Sequence, residues 1–517
     1  MKIPIIDLFA GPGGLGEGFS SYQNSSSSPF QIVLSVEKDP VAHKTLKTRA
    51  LIRQFKNEIP DDYYEFLRSD KSVFADHLDR RLFEKHIRNA ESEAQNLTLG
   101  PDNNEIKNLI RNRLKGKEFI LIGGPPCQAY SLIGRSRMKG TVDFESDERH
   151  YLYKHYLNVI AEFKPAVFVM ENVKGLLSSK LNGELIFDRI REDLSRPGSA
   201  VNGGNGNSLR YNIFPFVSTD SPKLPDLIEP KDFIIKSEKY GIPQERHRVI
   251  LMGIRDDKET GSSTENILKE SPFFSVEDAI KDLPELRSRI SKGTDSFENW
   301  KSVLSELPEM ISEELPEVIQ EINNVICELG KRDNELPTGA RYTAEKMSKN
   351  RAGKFIKDNW DWFFDERIRG IINHESRSHM VSDLQRYLWC SAYAKVMDKS
   401  PRINDFPDNL LPEHKNIIKG RQIHFPDRFK VQLADKPSKT ITSHISKDGH
   451  YYIHYDPIQC RSLTVREAAR IQTFPDNYFF EGNRTQQYHQ IGNAVPPLLA
   501  RKLAGIVFKI MVERKEV

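Results

Sequence analysis

Cys127 stands in Gly123-Gly124-Pro125-Pro126-Cys127-Gln128-Ala129-Tyr130-Ser131, directly after the apolar run Phe119-Ile120-Leu121-Ile122. A thiol beside two prolines suits nucleophilic attack, because the prolines fix the backbone and remove two amide donors. The plain alternative is a buried structural cysteine, since free Cys is among the most buried residue types. Glu171-Asn172-Val173 closes another apolar run, Ala166-Val167-Phe168-Val169-Met170. A carboxyl beside a thiol in a cleft suits general-acid work, and otherwise caps the next helix. Gln244-Glu245-Arg246-His247-Arg248 precedes a third run and puts two arginines at alternate positions on one face. Lone arginines at such a place are usually surface residues.

A Gly-rich stretch, Ala10-Gly11-Pro12-Gly13-Gly14-Leu15-Gly16-Glu17-Gly18, follows Ile3–Phe9. Glycines there let the backbone approach a ligand and point helix amides at it, although such turns are often only structural. Glu37, ending the next apolar run, is placed to accept from ribose hydroxyls. The spacing departs from the dinucleotide fingerprint, and no lysine follows as in a phosphate-binding loop. A nucleoside-bearing cofactor without a phosphate clamp fits better, with S-adenosylmethionine the obvious choice.

These residues need rigid elements to hold them. Short apolar strands alternate with helical stretches through about residue 255, which predicts an α/β domain, a mostly parallel sheet covered by helices on both faces. Ligands of such sheets sit beyond the carboxyl ends of the strands, where the cysteine turn should lie. Residues 50–116 are polar and helix-prone and read as a helical insertion. The stretches 25–28 and 198–208 read as surface loops. From about 256 to 430 the alternation gives way to charged, Pro-punctuated, largely helical sequence, a second domain. The chain then returns to the first domain over 431–517. There Arg461–Gln472 reads as an amphipathic helix with a Thr464/Glu467 capping box, and a final helix is expected from about Leu498 to Val512, with Leu499, Leu503, Ile506, Val507 and Ile510 on one stripe.

Composition sets bounds. The chain of 517 residues is long enough for two or more domains, and its 76 basic and 73 acidic residues leave a formal charge of +3, so bulk electrostatics do not select a partner. Two local clusters stand out. Arg341–Lys354 is basic with an aromatic inside it, and Arg367–Arg386 repeats arginine and histidine with few acids, each a solvated face or a nucleic-acid surface. Cys127, Cys327, Cys390 and Cys460 form neither a zinc spacing nor a disulfide framework, so no metal site and a reducing, cytoplasmic compartment are expected. No apolar stretch approaches a membrane span, and no signal segment is recognised.

Taken in order, Asp7–Phe19, Gly123–Ser131, Glu171–Val173, Gln244–Arg248, Arg461–Gln472 and Gln490-Ile491-Gly492-Asn493-Ala494-Val495-Pro496-Pro497 resemble the ordered motifs of the DNA cytosine-5 methyltransferases. The likeness spans roughly residues 1–255 and 430–505. It implies a Rossmann-like S-adenosylmethionine-dependent methyltransferase domain with a second, smaller target recognition domain at 256–430. By the family's mechanism the Cys127 thiolate adds to cytosine C6, Glu171 donates a proton or hydrogen bond at N3, Arg248 holds O2 and Arg246 stabilises the site. The target base must be flipped out of the duplex.

For the cofactor the resemblance carries over Phe9, Gly11, Pro12, Gly14, Glu37, Pro126, Leu152, Asn493 and Val495. The last two imply that the final helix folds back on the first domain. The acid that contacts the cofactor's adenine is obscured by the 50–116 stretch, with Asp70 and Asp76 as candidates. His374, Arg377 and Arg386 are expected on the DNA-reading surface. The resemblance further implies a bacterial restriction–modification setting, with double-stranded DNA as partner, a cognate endonuclease and monomeric action. A tRNA methyltransferase on the same scaffold and an inert DNA-binding relative are the alternatives. The first usually has a short recognition region, and the second usually loses the cysteine or the acid.

Overall fold

The computed structural model describes residues 2–25, 27–55, 58–69, 74, 80–125, 152–181, 184–202, 209–217, 228–257, 267–311, 315–413 and 426–516. Its central sheet contains β1 (Ile3–Leu8), β2 (Phe30–Val36), β3 (Ala94–Gln95), β4 (Ile120–Gly123), β5 (Val167–Val173), β6 (Tyr211–Pro215), β7 (Ile234–Lys236) and β8 (His247–Arg255). The order is β3-β2-β1-β4-β5-β8-β6, with β7 also paired to β8.

The strands from β3 to β5 are parallel, whereas β8 runs antiparallel to β5. Strands buried on both faces read as continuous apolar runs, which is why they were visible as such. Alternate residues enter two cores. Ile5, Ile120, Ile122, Val167 and Val169 face one, and Ile6, Leu8, Leu121, Phe168 and Met170 face the other.

Six helices matter for the site: α1 (Gly14–Ser21), α2 (Leu152–Phe163), α3 (Val381–Met397), α4 (Val465–Ile471), α5 (Arg484–Asn493) and α6 (Pro497–Glu516). The expected stripe of α6, Leu499 to Ile510, is buried in the first core. Helix α6 lies directly on α1, where a Cβ on Gly18 would fall 2.4 Å from Ala500 Cβ and 2.5 Å from Pro497 O. A glycine is needed there because the two backbones touch.

Two expectations change. The 50–116 stretch does hold helices, Asp61–Arg68, Arg80–Glu93 and Asn103–Leu114, but it also supplies β3, the sheet's edge strand beside β2. Helix α4 has the expected Thr464/Glu467 capping box, yet it is buried at every position rather than amphipathic. Its polar residues are satisfied inside the protein. Arg466 donates to the carbonyls of Ile372, Pro475 and Tyr478, and Arg470 pairs with Asp282 and Asp476.

Beyond residue 256 a third core forms around Trp300, Leu388 and Trp389. The packing does not respect linear boundaries. Val431, Ile453 and Cys460 join this third core, whereas Val276, Ile280, Phe355 and Phe363 join the first. Among the described residues no helix is long and apolar enough to cross a membrane.

Candidate active site

The antiparallel direction of β8 decides what meets at the sheet edge. Arg248, near its start, registers with Val173 at the end of β5, while Ile250 faces Glu171. Arg248 and Glu171 therefore share one face as diagonal neighbours. Arg248 Nε lies 3.0 Å from Glu171 Oε1, and both side chains are about one-seventh exposed, at 14% and 13%. Burial lowers the Arg248 pKa while the Glu171 charge opposes that shift.

The chain leading to Cys127 approaches the same carboxylate. A Cβ on Gly124 would lie 3.0 Å from Glu171 Oε2. Asn172 Nδ2 donates to Pro125 O at 3.2 Å, tying the end of β5 to that segment. Pro126 and Cys127 themselves lie outside the described residues, as do Asp70 and Asp76. The motif gives Asn172 no role by itself. Its signal was a side-chain amide next to the carboxylate at a strand end.

Arg246 points elsewhere. It is 1% exposed and donates to Ile441 O at 2.8 Å and to Gly492 O at 3.3 Å. Burial and the neighbouring Arg248 charge both lower its pKa. Gln244 completes the clamp by accepting from Ile441 N at 2.8 Å and donating to Gln472 at 2.6 Å. Two side chains of one motif thus hold the returning chain against β8. Arg246 acts here on carbonyls rather than beside Glu171.

At the glycine turn, Glu37 accepts from Gly11 N at 2.8 Å and from Asp39 N at 2.7 Å. Burial raises its pKa. Each of its oxygens keeps a lone pair for a further donor. Gly11 has φ +59°, with nothing within 4 Å of where a Cβ would stand. Gly14 is the opposite case, since a Cβ there would fall 2.4 Å from Val495 O.

Pro12 O accepts from Tyr478 Oη, an anchor the sequence reading missed. Phe9, at φ 57°, packs with the same core as Tyr153 and Tyr156 of α2, the helix that Leu152 begins. Asn493 is exposed at the end of α5, its amide 3.2 Å from His489 Nδ1. Open space at Gly11, the free acceptor capacity of Glu37 and the close approach of Val495 fit a nucleoside-bearing cofactor such as S-adenosylmethionine.

The DNA-reading expectation needs correction for two residues. His374 is 1% exposed, with Nδ1 3.0 Å from Thr464 Oγ1 and Nε2 2.8 Å from Pro284 O. Arg386 is buried on α3 and bonds Leu410 O and Asp383. Side chains committed to internal partners do not present donors to a groove, so both serve packing. Arg377 is also buried and lies over the Tyr488 ring at 4.3 Å, but it borders a cavity.

Comparison with known proteins identifies the family. Residues 83–211 and 229–509 match the family described as C-5 cytosine-specific DNA methylase. The type II methyltransferase M.Bpa9945I of Bacillus paralicheniformis is 33% identical over 97% of this chain and 98% of its own. The DNA (cytosine-5-)-methyltransferase M.ApeKI of Aeropyrum pernix is 25% identical over 76% of this chain and 81% of its own. A solved structure described as a candidate DNA modification methyltransferase encoded within an E. coli prophage superimposes with a TM-score of 0.51. It has 18% identity and covers 99% of this chain and 100% of its own, which speaks to the fold alone.

Proposed function

The chain belongs to the C-5 cytosine-specific DNA methylase family and is a cytosine-5 DNA methyltransferase of restriction–modification type, and from that premise we propose that it methylates a flipped cytosine in a specific duplex sequence through a covalent Cys127–C6 adduct. The observation that carries the reading is the Glu171–Arg248 pair at the sheet edge, packed against Gly124 on the way to Cys127.

The chemistry follows from cytosine itself. C5 is too weak a nucleophile to take a methyl group directly, so Cys127 Sγ bonds to C6 and moves electron density toward C5, N3 and O2. Glu171 supplies a proton or hydrogen bond at N3, and Arg248 donates to O2 from its place beside Glu171. Phe9, Gly11, Pro12, Gly14, Glu37, Pro126, Leu152, Asn493 and Val495 would hold S-adenosylmethionine, which would supply the activated methyl group for C5 and depart as S-adenosylhomocysteine. A base from solvent takes the C5 proton, the freed pair forms the C5–C6 double bond as the Cys127 thiolate leaves, and N3 returns any proton it took to Glu171. The base must leave the stack for Cys127 to reach C6.

We assign the enzyme to the bacterial cytoplasm as a monomer on DNA, protecting host sites from a cognate endonuclease. Bisulfite sequencing of DNA from cells expressing the protein tests activity and target together, with 5-methylcytosine expected at one short recurrent sequence. A Cys127→Ser protein that still transferred labelled methyl groups at the normal rate would remove the adduct mechanism. Preference for tRNA over duplex DNA as acceptor would remove the substrate assignment.

A further inference from the structure

Helix α4 is closed by Gln472, a buried side chain whose polar atoms are all engaged. Its Nε2 donates to Ile491 O at 3.0 Å and to Ala494 O at 2.6 Å, the carbonyls that bracket Asn493. Its Oε1 accepts from Gln244 Nε2 at 2.6 Å, and Gln244 Oε1 accepts in turn from Ile441 N at 2.8 Å. The direction of this relay is fixed. Two carbonyls can only accept, so the Gln472 atom facing them is the nitrogen, and a backbone amide can only donate, so the Gln244 atom facing Ile441 is the oxygen. Neither side chain can flip without opposing like groups.

The next residue carries strain. Thr473 is buried at φ 66°, a left-handed conformation in which a β-branched residue is an outlier. Such strain persists where the surroundings over-determine it, and it collects where a site must be held in place. Here the surroundings belong to the same returning chain. Thr473 Oγ1 accepts from Leu498 N at 3.1 Å, in the first turn of α6, while Thr473 O accepts from Trp362 Nε1 at 2.9 Å. Gln472 and Thr473 together grip the stretch 491–498 from both ends.

That stretch covers the glycine turn. Between the carbonyls held by Gln472 and the amide held by Thr473 lies Val495, whose carbonyl oxygen would stand 2.4 Å, and whose nitrogen 3.3 Å, from a Cβ on Gly14. Asn493 and Val495 are the two residues of the returning chain assigned above to the cofactor. A shift of the stretch by less than one atomic diameter would open or close the space between it and the turn.

We propose that Gln472, with Thr473 beside it, is a positioning residue for cofactor binding: it holds the stretch 491–498 against the glycine turn, and Gln244 holds Gln472 in that pose. The inference rests on the S-adenosylmethionine reading of this site and adds to it residues that act on the cofactor only through Asn493 and Val495.

The test is isothermal titration of the full-length protein with S-adenosylmethionine. Gln472→Met keeps an unbranched side chain of similar length and removes all three side-chain hydrogen bonds. Its cofactor dissociation constant should rise about tenfold, the scale of one lost buried hydrogen bond. Gln244→Met should raise the constant about threefold, and the double variant should match Gln472→Met within about twofold, because Gln244 acts through Gln472. With unmethylated phage DNA as acceptor, the KM for the cofactor should follow these changes while kcat at saturation stays within about twofold of wild type. A side chain that served packing alone would lower the melting temperature and leave the dissociation constant where it was, and that result overturns the role. Effects that multiply in the double variant overturn the relay. Thr473→Ala removes only the acceptor for Leu498 N and carries the test if Gln472→Met does not fold: it should bind about threefold more weakly, and wild-type affinity would overturn the proposal. A wild-type protein that bound no S-adenosylmethionine would refute the cofactor reading itself, whereas a binding wild type with unmoved variants refutes the positioning role alone.

Discussion

Arg248 Nε sits 3.0 Å from Glu171 Oε1 because β8 enters the sheet antiparallel to β5, which puts the start of one strand beside the end of the other. Had β8 run parallel, Arg248 would lie at the opposite edge. The pair gives the candidate site an acceptor and a donor on one rigid face.

Glu171→Gln keeps an oxygen for Arg248 Nε but removes the carboxyl's protonation chemistry. Methyl transfer should fall by about 10²–10⁴ while the protein stays folded. Single-turnover incorporation of labelled methyl groups measures the first quantity, and circular dichroism checks the second.

Arg248→Lys tests geometry rather than charge. An ammonium cannot reproduce the planar fork of a guanidinium that pairs with Glu171 and, in the proposed mechanism, serves a substrate oxygen as well. Transfer should drop at least tenfold, with stability reduced by about 1–3 kcal/mol from the weakened charged hydrogen bond. Denaturant titration alongside a rate assay separates the two effects.

Gly11 and Gly14 should respond differently to alanine. At Gly14 the new methyl would meet Val495 O at 2.4 Å, so the turn or the returning chain must shift, and cofactor binding should be lost. At Gly11 no protein atom opposes a methyl, so alanine adds backbone strain of about 1 kcal/mol at the φ of +59° and narrows the space assigned to the cofactor without displacing the returning chain. Isothermal titration with S-adenosylmethionine should show the Gly14→Ala protein the weaker binder.

His374 predicts an acid limb in stability. Burial is the largest cause of its pKa being pushed down to about 4. The unfolded imidazole titrates near 6.5, so between those values the unfolded chain binds more protons, and stability falls as pH drops from about 6.5 toward 4. His374→Ala should flatten that limb, cost about 1–3 kcal/mol near neutrality by unpairing Pro284 O and Thr464, and leave DNA site preference intact. Urea midpoints across pH and a methylation-site map read these outcomes.

Asp7 acts with the opposite sign. Its carboxyl is buried, and burial raises its pKa to about 8 against the opposing charge of Arg53. From about pH 4 to 8 the unfolded carboxylate ionises while the folded one stays protonated, so Asp7 lowers stability progressively as pH rises through that range. Asp7→Asn should reduce this fall, measured as the difference in urea midpoint between pH 5 and 8.

Much of this was legible in the sequence because it is local. Runs such as Ile120–Ile122 and Val167–Met170 announce buried strands by composition, and the Thr464/Glu467 box announces a helix start within four residues. Strand direction is not local. Nothing in Val249–Ile254 says that β8 runs antiparallel, though that fact pairs Arg248 with Glu171. Burial of charge is equally remote. Arg246, Arg466 and His374 read as polar residues until carbonyls from Gly492, Tyr478 and Pro284 arrive to satisfy them. A two-residue strand such as Ala94–Gln95 is too short for periodicity to reveal.

The contact between Gly14 and Val495 also sets how the proposed cofactor cradle must assemble. Its two walls are distant along the chain, so bringing them together carries a loop-closure cost that local contacts do not. Damage to the segment around Val495 should therefore cost cofactor binding as surely as damage to the glycine turn it touches.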